Sequence, residues 1–155
     1  MEIGSRTNLG GSVEMEAIME FRGSTKWLSN YEETDIVFEG KTYHSSEAAF
    51  QAAKTLDPIE RAKFEKMSPS EAKRAGQLVT LRKDWESIKE DVMYLVVKEK
   101  YARNKSLCDK LLATGDVHLE EGNHHGDRVW GTVDGVGLNL LGKITMRVRE
   151  ELRRG

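Results

Sequence analysis

Apolar residues recur every three or four positions in two long stretches of the chain, which predicts two amphipathic helices. The longer helix is expected to begin at Asp84-Trp85, and its inward stripe contains Trp85, Ile88, Val92, Leu95, Val96 and Glu99. The last helix is expected to begin near Asn139 and to direct towards the core Leu141, Ile144, Val148 and Leu152. One face of each helix is therefore expected to pack against the rest of the protein.

Capping residues mark three shorter helices. Asp57-Pro58-Ile59-Glu60 and Ser68-Pro69-Ser70-Glu71 each combine a capping side chain, a proline at the first helical position and an acidic residue in the first turn. They predict two short helices in tandem, the second of which ends near Gly76. A third short helix is expected over residues 107–113, because the following Thr114-Gly115 favours a helix end.

Short strands are predicted at three places. Residues 17–21 and 117–119 are short apolar segments typical of strands, and residues 35–38 and 41–43 are joined by Glu39-Gly40, which predicts a hairpin with a tight turn. The chain contains no internal repeat and no linker. The pattern therefore predicts one mainly α-helical α+β domain with short β-hairpins over residues 15–155.

Residues 1–14 stand apart from this pattern. They are rich in glycine, serine and asparagine and lack the apolar region of a signal peptide. A second methionine follows at Met15. These residues are therefore interpreted as a flexible leader or an upstream extension and are left outside the predicted domain.

Charge and cysteine content narrow the range of functions. The 155 residues carry a formal net charge of −2, which argues against the broad basic surface of a dedicated nucleic-acid-binding protein. Cys108 is the single cysteine, so it is interpreted as a core-filling residue, and neither a disulfide nor a paired-cysteine zinc site is expected. No apolar run is long enough to span a bilayer. We therefore expect a cytoplasmic protein.

Two motifs that resemble known binding sites are rejected. Residues 137–143 match the spacing of a phosphate-binding loop up to Lys143, but Ile144 stands where a hydroxyl would hold magnesium. His124 and His125 are adjacent, so their side chains diverge, and no third ligand follows at zinc spacing. A polar surface loop is the favoured interpretation of this pair. Neither a metal nor a cofactor is expected.

The helix capped by Ser45-Ser46 is expected to end at about Leu56, and it has one polar face. Glu47, Gln51 and Lys54 fall at positions i, i+4 and i+7, so they project from the same side. The opposite, packing side consists of Ala49, Ala52, Ala53 and Leu56. By pattern alone, the polar face is either a solvated stripe of complementary charges or the wall of a site where a carboxylate, an amide and an amine meet one substrate.

Short motifs follow one another in a specific order from about Phe21 to the C-terminus. The series begins with Leu28-Ser29-Asn30, Gly40-Lys41-Thr42-Tyr43, Ser46-Glu47, Phe50-Gln51-Ala52 and Lys54. It continues with Ala72-Lys73, Gly76, Leu81-Arg82-Lys83-Asp84-Trp85-Glu86, Met93, Lys100-Tyr101, Leu111-Leu112, Thr114-Gly115, Leu119, Glu121, Asp127, Trp130-Gly131, Asn139, Leu141-Gly142 and Met146. Each motif alone is weak, but the ordered set resembles the YbiA-like, or NADAR, family.

The resemblance implies a compact helical α+β domain and an N-glycosidase, an enzyme that cuts the bond between ribose C1 and a nitrogen. YbiA-like members hydrolyse early riboflavin-pathway intermediates, which are ribose-phosphate adducts of an aminopyrimidine. Other members remove ADP-ribose from guanine bases in nucleic acid. The expected partner is accordingly a ribosyl-phosphate or ADP-ribose-containing substrate, and the alternative is a module that binds ADP-ribose without cleaving it. Ala48 stands where members often carry histidine, so the substrate class stays open.

Catalytic roles follow from the chemistry that the resemblance implies. Breaking a ribosyl C–N bond builds positive charge on the sugar, which a carboxylate stabilises, and the leaving nitrogen needs a proton from an acid. The acidic positions that match the family motifs are Glu47, Glu121 and Asp127. Lys54, which matches the family's lysine, could instead attack C1 and form a Schiff base that water later hydrolyses.

The resemblance also implies six substrate contacts, some of which have a structural alternative. Trp130 can stack on a base or pack in the core, and Arg82 can hold a phosphate or simply lie on the surface. Asn139 can contact the substrate or cap the last helix. Trp85 fits the apolar stripe better and is expected in the core. The six residues are Ser29, Asn30, Gln51, Arg82, Trp130 and Asn139.

Overall fold

The structure is a computed structural model that describes residues 6–7, 13–14 and 16–155. Its strands are β1 (Arg6–Thr7), β2 (Val13–Glu14), β3 (Ile18–Glu20), β4 (Glu33–Phe38), β5 (Lys41–Ser45) and β6 (Leu119–Gly122). Its helices are α1 (Ser46–Ala52), α2 (Pro58–Lys63), α3 (Pro69–Gly76), α4 (Trp85–Arg103), α5 (Lys105–Ala113) and α6 (Leu140–Arg154), and 3₁₀ turns cover Gly23–Leu28 and Phe64–Lys66. This composition confirms the predicted fold class.

The strands pair two by two in the described part of the chain. β4 and β5 form the predicted antiparallel hairpin, and its turn places Glu39 and Gly40 at positive φ values of 49° and 83°. β3 and β6 are parallel and bring Ile18 opposite Leu119, so the expected strand at 117–119 begins two residues late. β1 and β2 are antiparallel. The rest of the predicted leader, residues 1–5 and 8–12, lies outside the described residues.

Helix α4 forms the centre of the core and contacts α1, α5, α6 and β4. Its buried face includes Trp85, Val92 and Val96, as the periodicity predicts, but Leu95 is exposed on the opposite side. The buried positions of α4 are Trp85, Val92, Met93, Val96, Val97, Lys100 and Tyr101. Among the described residues, none of the helices combines the length and the apolar character needed to cross a membrane.

The capping residues start the short helices as predicted. Asp57 caps α2 by accepting from the Ile59 N–H, and Ser68 forms a capping box with Glu71 at the start of α3. Helix α5 begins at residue 105, two residues earlier than expected, because the Asn104 side chain accepts from the Leu107 N–H. Each of these caps satisfies backbone donors that a helix leaves unpaired at its first turn.

The prediction that the first helix reaches Leu56 is wrong. Helix α1 ends at residue 52, and Leu56 is 64% exposed instead of packing beside the alanines. The chain leaves the axis of α1 because Thr55 is bonded to the start of α2. Its hydroxyl accepts from Asp57 N–H and donates to Glu60. Lys54 consequently lies in the turn after α1, where its N–H donates to Gln51 O over 3.1 Å.

Candidate active site

A cleft of 840 Å³ opens beside α1. Its wall is made by α1, by residues of the Gly23–Leu28 turn and the segment after it, by Lys73 of α3, and by the chain from Glu121 to Trp130. The structure brings eight of the ten predicted site residues to this wall, namely Ser29, Asn30, Glu47, Gln51, Lys54, Glu121, Asp127 and Trp130. Segments that are far apart in the sequence therefore meet at one cavity.

The polar face of α1 is buried, which excludes a solvated stripe. Glu47 and Gln51 are only 8% and 6% exposed, and Gln51 Nε2 donates to Glu47 Oε2 over 2.7 Å. Ser45 caps the helix by accepting from Ala48 N–H, so the first turn is held in place. Gly76 of α3 lies against the Gln51 amide, and a Cβ there would overlap this side chain. The amide and carboxylate are thus held as a packed pair.

Burial sets the electrostatics of the carboxylates. It raises the pKa of Glu47, an effect opposed by the Gln51 hydrogen bond and by the positive charges of Lys73 and Lys54. Burial, together with the negative charges of Asp127 and Glu47, raises the pKa of Glu121 to about 7. Glu121 is therefore a carboxyl group that can carry a proton near neutral pH.

The pKa of the Lys54 amine is shifted in the opposite direction, to a lower value. Partial burial lowers its pKa, Glu47 opposes this shift, and the neighbouring ammonium of Lys73 adds to it. Lys73 was not among the predicted site residues, although it stands in the Ala72-Lys73 motif of the ordered series. Two lysines close together favour the neutral amine on the more buried one, which is the form that can act as a nucleophile.

The loop after β6 presents Asp127 and is held by side-chain hydrogen bonds. Asp127 Oδ1 accepts from the N–H groups of Val129 and Trp130 at 3.0 and 2.9 Å. Asn123 Nδ2 donates to Asp127 O over 2.9 Å, and Asn123 Oδ1 accepts from Asp127 N–H over 3.0 Å. These bonds fix the position of a carboxylate that lies outside regular secondary structure.

His125 of this loop lies beside two acids, Asp127 of the same loop and Glu121 of β6. Ligand atoms of Glu121, His125 and Asp127 all lie within 4.8 Å of one another, so these are the described residues that could hold a metal ion. His124 and His125 are exposed in this loop, as interpreted from the sequence, but both also line the cleft. The signal available in the sequence was their place between Glu121 and Asp127 in one short stretch of chain.

The segment after the first 3₁₀ turn supplies polar groups to the cleft. Asn30 is buried, and its Oδ1 accepts from Ser46 Oγ over 2.8 Å while its Nδ2 donates to Met93 Sδ over 3.3 Å. Ser29 Oγ accepts from Tyr31 N–H over 3.0 Å. The Asn30 contacts tie the segment to α1 and α4, and Ser29, Asn30 and Tyr31 line the cavity.

Trp130 takes part in both the cleft and the core. Its ring lines the cleft and lies edge-on to Phe50 at 5.3 Å, whereas Trp85 is buried against Phe50 at 5.0 Å, as expected of a core residue. A second cavity of 360 Å³ lies next to the first, and Lys54, Lys73 and Trp130 border both. The Lys54 amine is therefore positioned where two compartments meet.

Two predicted substrate contacts lie outside the cleft wall. The Arg82 guanidinium donates to both carboxylate oxygens of Asp84 at 2.7 and 3.2 Å and to Ala53 O. Asn139, which was considered as a substrate contact or as the cap of α6, neither lines the cleft nor caps the helix with its side chain. It donates instead to Leu119 O over 3.0 Å and accepts from Glu121 N–H over 2.9 Å. Asn139 therefore holds β6 and, with it, the backbone of Glu121.

The fold is α+β, with a cleft lined by buried and partly buried titratable groups, and known proteins are similar to this chain in structure and in sequence. The NMR structure of the Escherichia coli protein YbiA matches with a TM-score of 0.79 and 36% identity, covering 89% of this chain and 86% of that one. N-glycosidase YbiA of Escherichia coli strain K12 is 39% identical over 129 residues, which are 81% of this chain and 80% of that protein. A riboflavin biosynthesis protein of Vibrio vulnificus is 38% identical over 133 residues, which are 82% of this chain but 35% of that longer protein.

A family model covers nearly the whole chain. The NADAR domain model matches residues 18–153. The chain therefore belongs to the NADAR domain family, and its relatives include proteins named N-glycosidases. This match confirms the resemblance carried by the ordered motifs.

Replacing Glu47 by glutamine is expected to stabilise the fold. Because the pKa of Glu47 is raised in the folded state, stability falls as pH rises from the ordinary carboxyl range through the folded pKa. Glu47→Gln removes this penalty and keeps an oxygen acceptor for Gln51. We expect the free energy of unfolding to rise by about 1 kcal/mol at about pH 8 and to change little at about pH 4, as measured by chemical denaturation.

The matched control is Glu90→Gln, a change of the same kind at an exposed position of α4. It is expected to leave the unfolding free energy unchanged at both pH values. A destabilised Glu47→Gln protein at the higher pH would contradict the interpretation that the buried charge opposes folding.

The raised pKa of Glu121 is expected to depend on its acidic neighbour. Asp127→Asn removes one negative charge but retains the Oδ1 acceptor that holds Val129 and Trp130, so the pKa of Glu121 should fall from about 7 towards the ordinary carboxyl range. Carbon-detected NMR titration of the Glu121 carboxyl measures this shift. Asp134→Asn, at an exposed position outside the cleft, should leave the titration unchanged. An unaltered titration in Asp127→Asn would show that the two carboxylates do not interact.

Proposed function

We propose that this protein hydrolyses the bond between ribose C1 and a nitrogen in a ribosyl-phosphate or ADP-ribosyl substrate. The observation that carries the proposal is the convergence of Glu47, Lys54, Glu121 and Asp127 on one cleft, with the pKa values of a carboxyl and an amine shifted towards neutrality. A protein that only bound ADP-ribose would not need such an acid–base set. The N-glycosidase names of its relatives support the same reaction class.

The carboxylates match the charges that develop in this reaction. As the C–N bond lengthens, the ribose gains positive charge, and the Glu47 carboxylate at the cleft wall stabilises it. Glu121, which can hold a proton near neutral pH, donates this proton to the leaving nitrogen. Asp127 then accepts a proton from the water that attacks C1. The products are the free base and a ribose with a hydroxyl at C1.

Lys54 offers a second route through the same site. Opening of the ribose ring leaves C1 as an imine carbon that still bears the base, and the neutral Lys54 amine adds to this carbon. Expulsion of the base as an amine leaves a Schiff base between C1 and Nζ, which water hydrolyses to the ribose aldehyde and the free lysine. The lowered pKa of Lys54 supports this route, because the amine must be neutral to attack.

Positive charge near the cleft favours a phosphate-bearing substrate. Arg22 and Lys26 line the cavity at exposed positions, and neither was predicted as a site residue. Both substrate classes carry a phosphate attached to the ribose, and a cleft of 840 Å³ has the size of a ligand site for a nucleotide-like molecule. The riboflavin biosynthesis name of the Vibrio relative makes the ribosylamino-pyrimidine phosphate the first substrate to test.

Chromatographic turnover assays with two substrates test the proposal. One substrate is the ribosylamino-pyrimidine phosphate, and the other is an oligonucleotide that carries ADP-ribosyl-guanine. We expect hydrolysis of at least one of them by the unaltered protein and a loss of about 10²-fold or more in Lys54→Ala, because an amine that reacts or transfers a proton is removed. Lys63→Ala, at an exposed position of α2 outside both cavities, should retain full activity. Binding of ADP-ribose without any turnover would contradict the proposal and favour a binding module.

Borohydride trapping distinguishes the lysine route from direct hydrolysis. Reduction during turnover is expected to leave a ribosyl adduct on Lys54 that mass spectrometry locates, since borohydride converts a Schiff base into a stable amine. Lys54→Arg should give no adduct under the same conditions. Turnover without an adduct in the unaltered protein would exclude the Schiff base.

A further inference from the structure

Lys100 is a buried lysine outside the cleft. It projects from α4, is 1% exposed, and donates through Nζ to Trp27 O over 2.7 Å and to Ser29 O over 2.8 Å. Both acceptors are neutral backbone oxygens, and its pKa falls to about 7 because burial disfavours the charge. Burying an amine so deeply is costly, and an apolar residue would fill the same core position without this cost.

Of the two carbonyl groups that Lys100 binds, Trp27 O lies at the end of the 3₁₀ turn and Ser29 O begins the segment that builds one wall of the cleft. This segment leaves the 3₁₀ turn at Leu28 and contributes Ser29, Asn30 and Tyr31 to the cavity. It has no regular secondary structure of its own beyond the turn. The hydrogen bonds from α4 therefore decide where its polar groups lie relative to the rest of the cavity.

The same segment is connected directly to the buried carboxylate. Asn30 O accepts from Glu47 N–H over 3.2 Å, and Asn30 Oδ1 accepts from Ser46 Oγ over 2.8 Å. Asn30 thus connects Ser29, whose carbonyl group accepts from Lys100, to the first turn of α1. Lys100 anchors both the segment and, through it, the entry into the helix that carries Glu47.

We propose that Lys100 is a positioning residue for substrate binding, which fixes the Ser29–Tyr31 wall of the cleft without touching the substrate. The choice of lysine follows from its hydrogen bonds, since the ammonium with three N–H donors and the neutral amine with two can each serve both carbonyl groups. Removing them leaves two buried acceptors unpaired. The proposal rests on the proposed function for its substrate, but the anchoring itself is measurable without turnover.

Lys100→Met keeps the length and the apolar stem of the side chain and removes the donors. We expect KM to rise about tenfold while kcat stays within about threefold, because the altered wall weakens binding of the substrate. Hydrogen exchange at the Tyr31 and Glu47 amides should become about tenfold faster, since both bonds depend on the anchored segment. Lys100→Gln, whose amide supplies two N–H donors, should recover part of the KM.

Val96→Ala is the matched control, because it removes a buried side chain from the same face of α4 one turn away and makes no bond to the segment. It is expected to lower stability without changing KM or the exchange of those two amides. A purely structural Lys100 would behave like this control: the concentration of active protein, and so the apparent kcat, would fall at constant KM. That result would overturn the proposal.

The test separates this proposal from the proposed function. If the unaltered protein hydrolyses neither substrate, calorimetric binding of ribose 5-phosphate and of ADP-ribose replaces KM, and a weaker affinity in Lys100→Met still supports the anchor. Unchanged affinity together with unchanged amide exchange would overturn it. Should Lys100→Met fail to fold, Lys100→Gln carries the comparison, with a KM or a dissociation constant above that of the unaltered protein as the expected result.

Discussion

The burial of the Glu47 carboxylate is the constraint on which the rest of the site depends. Helix α1 has seven residues, too few to be stable alone, and it is enclosed by β4, β5, α3 and α4. The surrounding groups offset part of the cost of the buried charge, since Gln51 donates to the carboxylate and Lys54 and Lys73 provide positive charge. The Asn30 carbonyl accepts from the Glu47 N–H and so fixes its backbone. The neighbouring elements therefore hold the helix in place, and the helix in turn forms part of the wall of the cleft.

One physical cause, removal from water, raises the pKa of the acid Glu121 and lowers the pKa of the amine Lys54. The same low-dielectric surroundings that keep a proton on Glu121 also favour the neutral form of Lys54. Neighbouring like charges strengthen both shifts, since Asp127 acts on Glu121 and Lys73 acts on Lys54. A carboxyl group that keeps its proton to higher pH than usual and an amine that loses its proton at lower pH than usual thus lie in the same cleft.

Local signals predicted most of the helices, whereas the burial of the site depended on distant contacts. Capping residues located α2 and α3, and apolar periodicity located α4 and α6. The sequence of α1 is equally compatible with a solvated and a buried polar face, because the residues that cover this face belong to α3 and to the loop after β6. Lys73 and His125 were missed for this reason, and Arg82 and Asn139, which were assigned through the resemblance, do not line the cleft.

The position of Asn139 relates the assembly of the cleft to the order in which parts of the chain fold. Its side chain bonds to Leu119 O and to the Glu121 N–H, it takes a left-handed backbone conformation at φ 52°, and α6 starts at the next residue. The strand that it holds pairs with β3, about a hundred residues earlier. Contacts of such long range form late, after the loops between them have closed. The backbone position of Glu121 is thus expected to be set only as the C-terminal helix docks, so a nascent or partly unfolded chain lacks the assembled cleft.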